Sequence, residues 1–196
     1  MPAQSDRLKT LDGAGRGNYR EIMANKKLDI VSGVRIAVVG PGAIGTVFAV
    51  YLAKAGYNVV LVDHRAERAR RLSKRSLVVQ VGRRGRLSAK VRVTTRPRGK
   101  FELVILAVKA HAVENAAKKM KSWIGDAPVL AIQNGLGVGG IMAKSLPAVP
   151  VIVAVTFQAA NVVKEGVVKQ VANLPTYVGY LGSAPDKCLH SVVAIL

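Results

Sequence analysis

The chain has 196 residues, half of them hydrophobic, and carries a formal net charge of +19 at neutral pH. That length supports one good core and leaves room for the beginning of a second domain. The single cysteine, Cys188, excludes an internal disulfide framework, and no apolar run is long enough to span a bilayer.

Residues 1–32 are polar and glycine-containing, without sustained periodicity, and read as a flexible extension. Within them Met23 opens a stretch that leads directly into the first strand and resembles a natural start. From residue 34 the pattern becomes α/β. A strand over 34–39 is followed by a helix over 44–55 and a strand over 58–62. A short basic helix over 66–74 should turn its arginines to solvent. Strands over 77–81 and 87–94 flank Gly82-Arg83-Arg84-Gly85, which suits a hairpin. The run FELVILAV at 101–108 is continuous and apolar, as in a buried parallel strand.

Beyond it come a helix over 112–123, a buried strand over 129–132 ending in Gln133-Asn134-Gly135, and a short helix over 139–145. A strand over 151–155 and further short strands within 156–171 and 177–180 follow, with turns at Glu165-Gly166 and residues 173–175. Residues 187–196 open an amphipathic helix that ends in the apolar run VVAIL. Strands alternating with helices predict a Rossmann-like, doubly wound, mostly parallel sheet with helices on both faces, over residues 33–182. The last residues, 183–196, read as the start of a truncated helical domain. Its uncovered apolar end should favour self-association.

In doubly wound sheets ligands sit at the carboxyl ends of the strands. The segments that fall there are residues 40–45, residues 63–65, Lys109, Asn134 and Thr156. The first is Gly40-Pro41-Gly42-Ala43-Ile44-Gly45, with glycines at G-x-G-x-x-G spacing between a strand and a helix. Gly40 would make the tight turn, Gly42 would let backbone approach a pyrophosphate, and Gly45 would let the helix pack on the strand. The helix N-terminus then faces the phosphates with its free N–H groups and positive dipole end. The plainer alternative is a tight βα turn with no ligand. Strand, helix, second strand and the closing acid Asp63 together favour the dinucleotide fingerprint.

Cofactor choice reads both ways. Asp63 ends the second strand, where an acid suits the ribose 2′-hydroxyl of NAD. Arg65, with Arg68 one turn on, suits a 2′-phosphate, which favours NADP(H) while leaving NAD(H) open. Between Arg65 and Lys100 lie fourteen Lys or Arg residues and one acid, Glu67, with no aromatic residue among them. Without a stacking platform this block predicts salt-sensitive attraction to polyanions rather than specific nucleic-acid binding. His64, His111 and His190 share no ligand spacing, so no metal is expected. Neither a secretory signal nor a membrane segment is evident, which makes the cytoplasm the expected location.

Three motifs together resemble one family. GPGAIG at 40–45, AVKAHAVENA at 107–116 and IQNGLG at 132–137 occur in the order and at the intervals of the ketopantoate reductases (2-dehydropantoate 2-reductases). The later stretch VTFQAANVVKEGVVKQ, 155–170, is similar to that family's Thr-containing strand and Gly-Val turn. The resemblance implies NADPH-dependent reduction of a small 2-oxo acid, ketopantoate, to pantoate for pantothenate and coenzyme A synthesis. It implies that Val108 and Lys109 edge the cofactor and that Lys109 and Asn134 serve both cofactor and substrate. It also implies a helical C-terminal domain carrying the general-acid lysine, and no residue here matches that lysine. Weak or no turnover by this chain alone is therefore expected. A dehydrogenase for another 2-oxo acid and a non-catalytic dinucleotide-binding protein remain the alternatives.

Overall fold

The computed structural model describes residues 20–21, 33–135, 137–180 and 186–196. In chain order it forms β1 (Arg20–Glu21), β2 (Arg35–Val39), α1 (Ala43–Lys54), β3 (Asn58–Val62), α2 (Ala66–Ser73), β4 (Leu77–Val81), β5 (Gly85–Ala89), β6 (Arg92–Thr94) and β7 (Leu103–Leu106). A 3₁₀ turn at Ala110–Ala112 leads into α3 (Val113–Met120), β8 (Val129–Ala131), α4 (Val138–Ser145) and β9 (Val151–Thr156). The hairpin β10 (Ala159–Lys164) and β11 (Val167–Ala172), then β12 (Thr176–Tyr180) and α5 (Asp186–Ile195), complete it. Apart from Arg20–Glu21, which pairs with β12 as an edge strand, the N-terminal extension expected over 1–32 lies outside the described residues.

The main sheet has eight strands in the order β1-β12-β9-β8-β7-β2-β3-β6. From β9 to β6 every pairing is parallel; at the other end β12 pairs antiparallel with β9, and β1 with β12 at the edge. The chain runs outward from β2 through β3 to β6 and then returns to the other side of β2 as β7. The switch point of the sheet therefore lies between β2 and β7, where such folds open a crevice.

Strand alternation divides the core in two. Ile36, Val38, Leu61, Leu103 and Ile105 point to one face, and Ala37, Val39, Val60, Val104 and Leu106 to the other. The second face is covered by α3 and α4 through Val113, Ala117, Met120, Val138 and Met142. The first is covered by α1 and, beyond it, by a separate four-stranded sheet in the order β10-β11-β4-β5. Helix α1 touches both sheets, so Gly45, Thr46, Val47, Ala49, Val50 and Leu52 are all buried.

The structure corrects three expectations. The strand expected over 87–94 is two strands in different sheets: Gly85–Ala89 pairs with β4, and Arg92–Thr94 runs parallel to β3. The chain crosses between sheets at Lys90-Val91, with Val91 buried as the anchor. Second, not every arginine of α2 faces solvent: Arg70 and Arg71 are exposed, but Arg68 turns in to pair with buried Asp63. Third, the VVAIL end is not an uncovered patch: Val192 is buried, and Val193, Ile195 and Leu196 are partly buried against the α1-side core. The large apolar side chains most exposed are instead on the β9–β12 region, including Phe157, Val162, Val163 and Leu174. Among the described residues no helix is long and apolar enough to cross a membrane.

Candidate active site

At the carboxyl end of β2 the three glycines of the fingerprint meet three different steric demands. Gly40 adopts φ +109°, a conformation that L side chains resist, and its N–H donates to the Val62 carbonyl at 2.9 Å. A Cβ there would also sit 2.9 Å from the backbone oxygen of Ala107, at the end of β7. Gly42 is the N-cap of α1 with an ordinary extended backbone, and an added Cβ would meet nothing within 4 Å. Gly45 faces inward, where a Cβ would collide with the Gly40 carbonyl oxygen. So Gly40 turns the chain at the switch point, Gly45 lets α1 close onto the turn, and Gly42 leaves open space over the helix end. No acid lies in the first turn of α1 and no side chain caps it. Its leading N–H groups are thus without a protein partner of the usual kind. Pro41, Ala43 and Ile44, half-buried, complete the loop.

One strand over, Asp63 follows β3 and is held from three directions. Arg68 grips it with both ends of its guanidinium, Nε to Oδ2 at 2.5 Å and a terminal nitrogen to Oδ1 at 2.7 Å. The Arg65 backbone N–H donates to Oδ1 at 3.0 Å. The carboxylate side chain is 0% exposed, against 26% for that of Arg68. Burial pushes the Asp63 carboxyl up, but the Arg68 and Arg65 hydrogen bonds, with the charges of Arg68 and His64, outweigh it. The group is held below its ordinary value. Arg65 and His64 are exposed at the same corner, with the Arg65 Nε 3.3 Å from His64 Nε2.

Across the switch point, Val108 and Lys109 follow β7. Val108 lies half-buried against the glycine turn, its Cγ1 3.0 Å from where a Gly40 Cβ would be. Lys109 is exposed, and its ammonium has no ion pair among the described residues. After β8, Asn134 turns its amide onto the backbone of Thr156 at the end of β9. Its Nδ2 donates to the Thr156 carbonyl at 3.0 Å and its Oδ1 accepts from the Thr156 N–H at 3.3 Å. The side chain thereby mimics a strand pairing and keeps one amide hydrogen as a free donor.

Two neighbours had no assigned role from sequence. Thr156 fixes Asn134 and shares a 2.9 Å hydroxyl contact with buried Thr176 of β12. Gln133 donates from Nε2 to the Leu106 carbonyl at 2.7 Å while its Oε1 is buried without a partner among the described residues. An orphaned acceptor at the carboxyl edge of β7 and β8 is costly unless something donates to it. The motif Gln133-Asn134-Gly135 carried that signal, but only the asparagine was read from it. The structure therefore gathers residues 40–45, Val108, Lys109 and Asn134 along the carboxyl ends of β2, β7 and β8, with Asp63 and Arg65 at the end of β3. His111, which follows the second motif, is exposed on the 3₁₀ turn.

The ketopantoate reductase PanE/ApbA family matches over residues 36–183. The chain belongs to this family. A 2-dehydropantoate 2-reductase of Halobacterium salinarum is 32% identical over 164 residues, which are 82% of this chain and 54% of that protein. Its counterpart in Pyrococcus abyssi is 30% identical over 83% of this chain and 53% of its own length. The chain thus spans about half the length of these ketopantoate reductases. Among solved structures, a D-mandelate dehydrogenase in a ternary complex with NADH and anilino(oxo)acetate superposes with a TM-score of 0.72 at 25% identity, over 81% of this chain and 52% of that one.

Proposed function

We propose that this chain is the dinucleotide-binding half of an NADP-dependent 2-dehydropantoate 2-reductase. The cradle at Gly40–Gly45 carries the reading, because open space over Gly42 and an uncapped helix end are what a pyrophosphate needs and a packing turn does not. Residues 40–45 would hold the pyrophosphate, Val108 would pack beside it, and Arg65 would take a 2′-phosphate. When bound, the nicotinamide supplies the hydride.

Lys109, exposed and without an acid partner among the described residues, offers a cation to the carboxylate of a 2-oxo acid or to the cofactor's edge. Asn134, held rigid by Thr156, aims its remaining N–H from a fixed position, which suits orientation of a carbonyl or ribose oxygen. Ketone reduction also needs a proton donor near the developing alkoxide. We assign that donor to the helical domain that the family resemblance implies, and place the domain boundary near residue 182.

Fluorescence titration of the purified chain tests the reading. It predicts saturable binding of NADPH, tighter than NADH, and little or no turnover of ketopantoate by the chain alone. Failure of a folded sample to bind either dinucleotide would contradict it.

A further inference from the structure

We infer that Arg68 determines cofactor choice by masking Asp63, converting the acid that marks an NAD site into one compatible with a 2′-phosphate. The inference rests on the dinucleotide-binding reading above. An acid that accepts hydrogen bonds from a ribose diol must show its oxygens to the crevice. Asp63 shows none: its side chain is 0% exposed, and Arg68 and the Arg65 N–H engage both oxygens. The position of the acid is fixed further by its own N–H, which donates to the Thr94 carbonyl at 3.0 Å and ties the end of β3 to β6.

The bidentate pair cancels the negative charge where it arises. What the corner presents to a ligand is therefore cationic, namely Arg65 and the exposed quarter of Arg68. Arg71, further along α2, is not available in the same way, because Glu165 holds it through paired 2.8 Å hydrogen bonds. A sequence rule that equates an acid after the second strand with NAD assumes that the acid is free. Here an arginine five residues on has taken it. Arg68 is in this sense a positioning residue, acting on the cofactor through Asp63.

The readout is the ratio of NADPH to NADH affinity, measured by titration of the full chain. Arg68→Met unmasks the carboxylate, and NADPH should lose tenfold or more relative to NADH. Arg68→Lys, which keeps the charge, should retain most of the preference. The double variant D63N/R68M, with no charge left to unmask, should restore the ratio to near that of the parent. Arg68→Met variants whose two affinities fall together would mean that Arg68 only supports the fold, and would overturn the inference.

If Arg68→Met does not fold, Asp63→Asn decides the matter. Masking predicts NADH affinity equal to the parent's, with NADPH affinity equal or higher. A tenfold loss confined to NADH would show that Asp63 binds the ribose and would overturn it. A parent chain that binds neither dinucleotide would instead defeat the underlying reading, which separates the two failures.

Discussion

The β2–α1 turn and the β3–α2 turn lie side by side at the carboxyl edge of one sheet, yet they are held by different physics. The first is fixed by backbone sterics. Gly40 needs a left-handed φ, Gly45 has no room for a Cβ, and Gly42 has room that no described residue uses. The second is fixed by side-chain electrostatics, with Asp63 buried under Arg68. A steric demand writes itself into residue type at fixed spacing. A charge pair depends on which of several nearby arginines turns inward, and spacing alone does not say.

The sharpest break between the two corners comes from Gly45→Ala. Its methyl group would enter the Gly40 carbonyl, and neither backbone segment has a side chain to move aside. A loss of about 3 kcal/mol is expected, read as a lower midpoint in urea denaturation. An unchanged midpoint would mean that the turn relaxes freely and that its glycines are not sterically required.

A smaller effect should come from pH at the other corner. Asp63 has its folded-state value lowered, because Arg68 and Arg65 together outweigh the burial that would raise it. Its stabilisation is therefore present above the ordinary aspartate value and disappears as pH falls through the lowered folded value. Thermal melts from neutral to acidic pH should show a shallower decline for Asp63→Asn than for the parent. Identical slopes would show that the pair contributes nothing to the pH dependence.

Much of the fold was legible because buried parallel strands and glycine punctuation are local signals. The strand Asn58–Val62 and the turn at Glu165-Gly166 fall where the residues predict. The second sheet was not legible, since it depends on β4 pairing in parallel with β11, Val78 opposite Val167 and Val79 opposite Val168, far along the chain. No glycine or proline marks the crossing at Lys90-Val91, so one strand was read where two exist. In the candidate site, Lys109 and Asn134 were reached through motif and strand end. The hold of Thr156 on Asn134 joins residues 22 apart and only folding reveals it. The burial of Val192 likewise depends on the surface that α1 and the sheets create together.

The space over Gly42 is reserved for a pyrophosphate in this reading, and Gly42→Asp fills it. Aspartate is a favoured N-cap, its backbone demand is met at φ −77°, and its charge complements the helix dipole. The variant should match or exceed the parent in stability, by about 0.5 kcal/mol, because nothing within 4 Å opposes the new side chain. Its affinity for NADPH should nevertheless fall by about 100-fold or more, since the carboxylate would occupy the phosphate position and repel it. A stable variant that still binds NADPH like the parent would contradict the account.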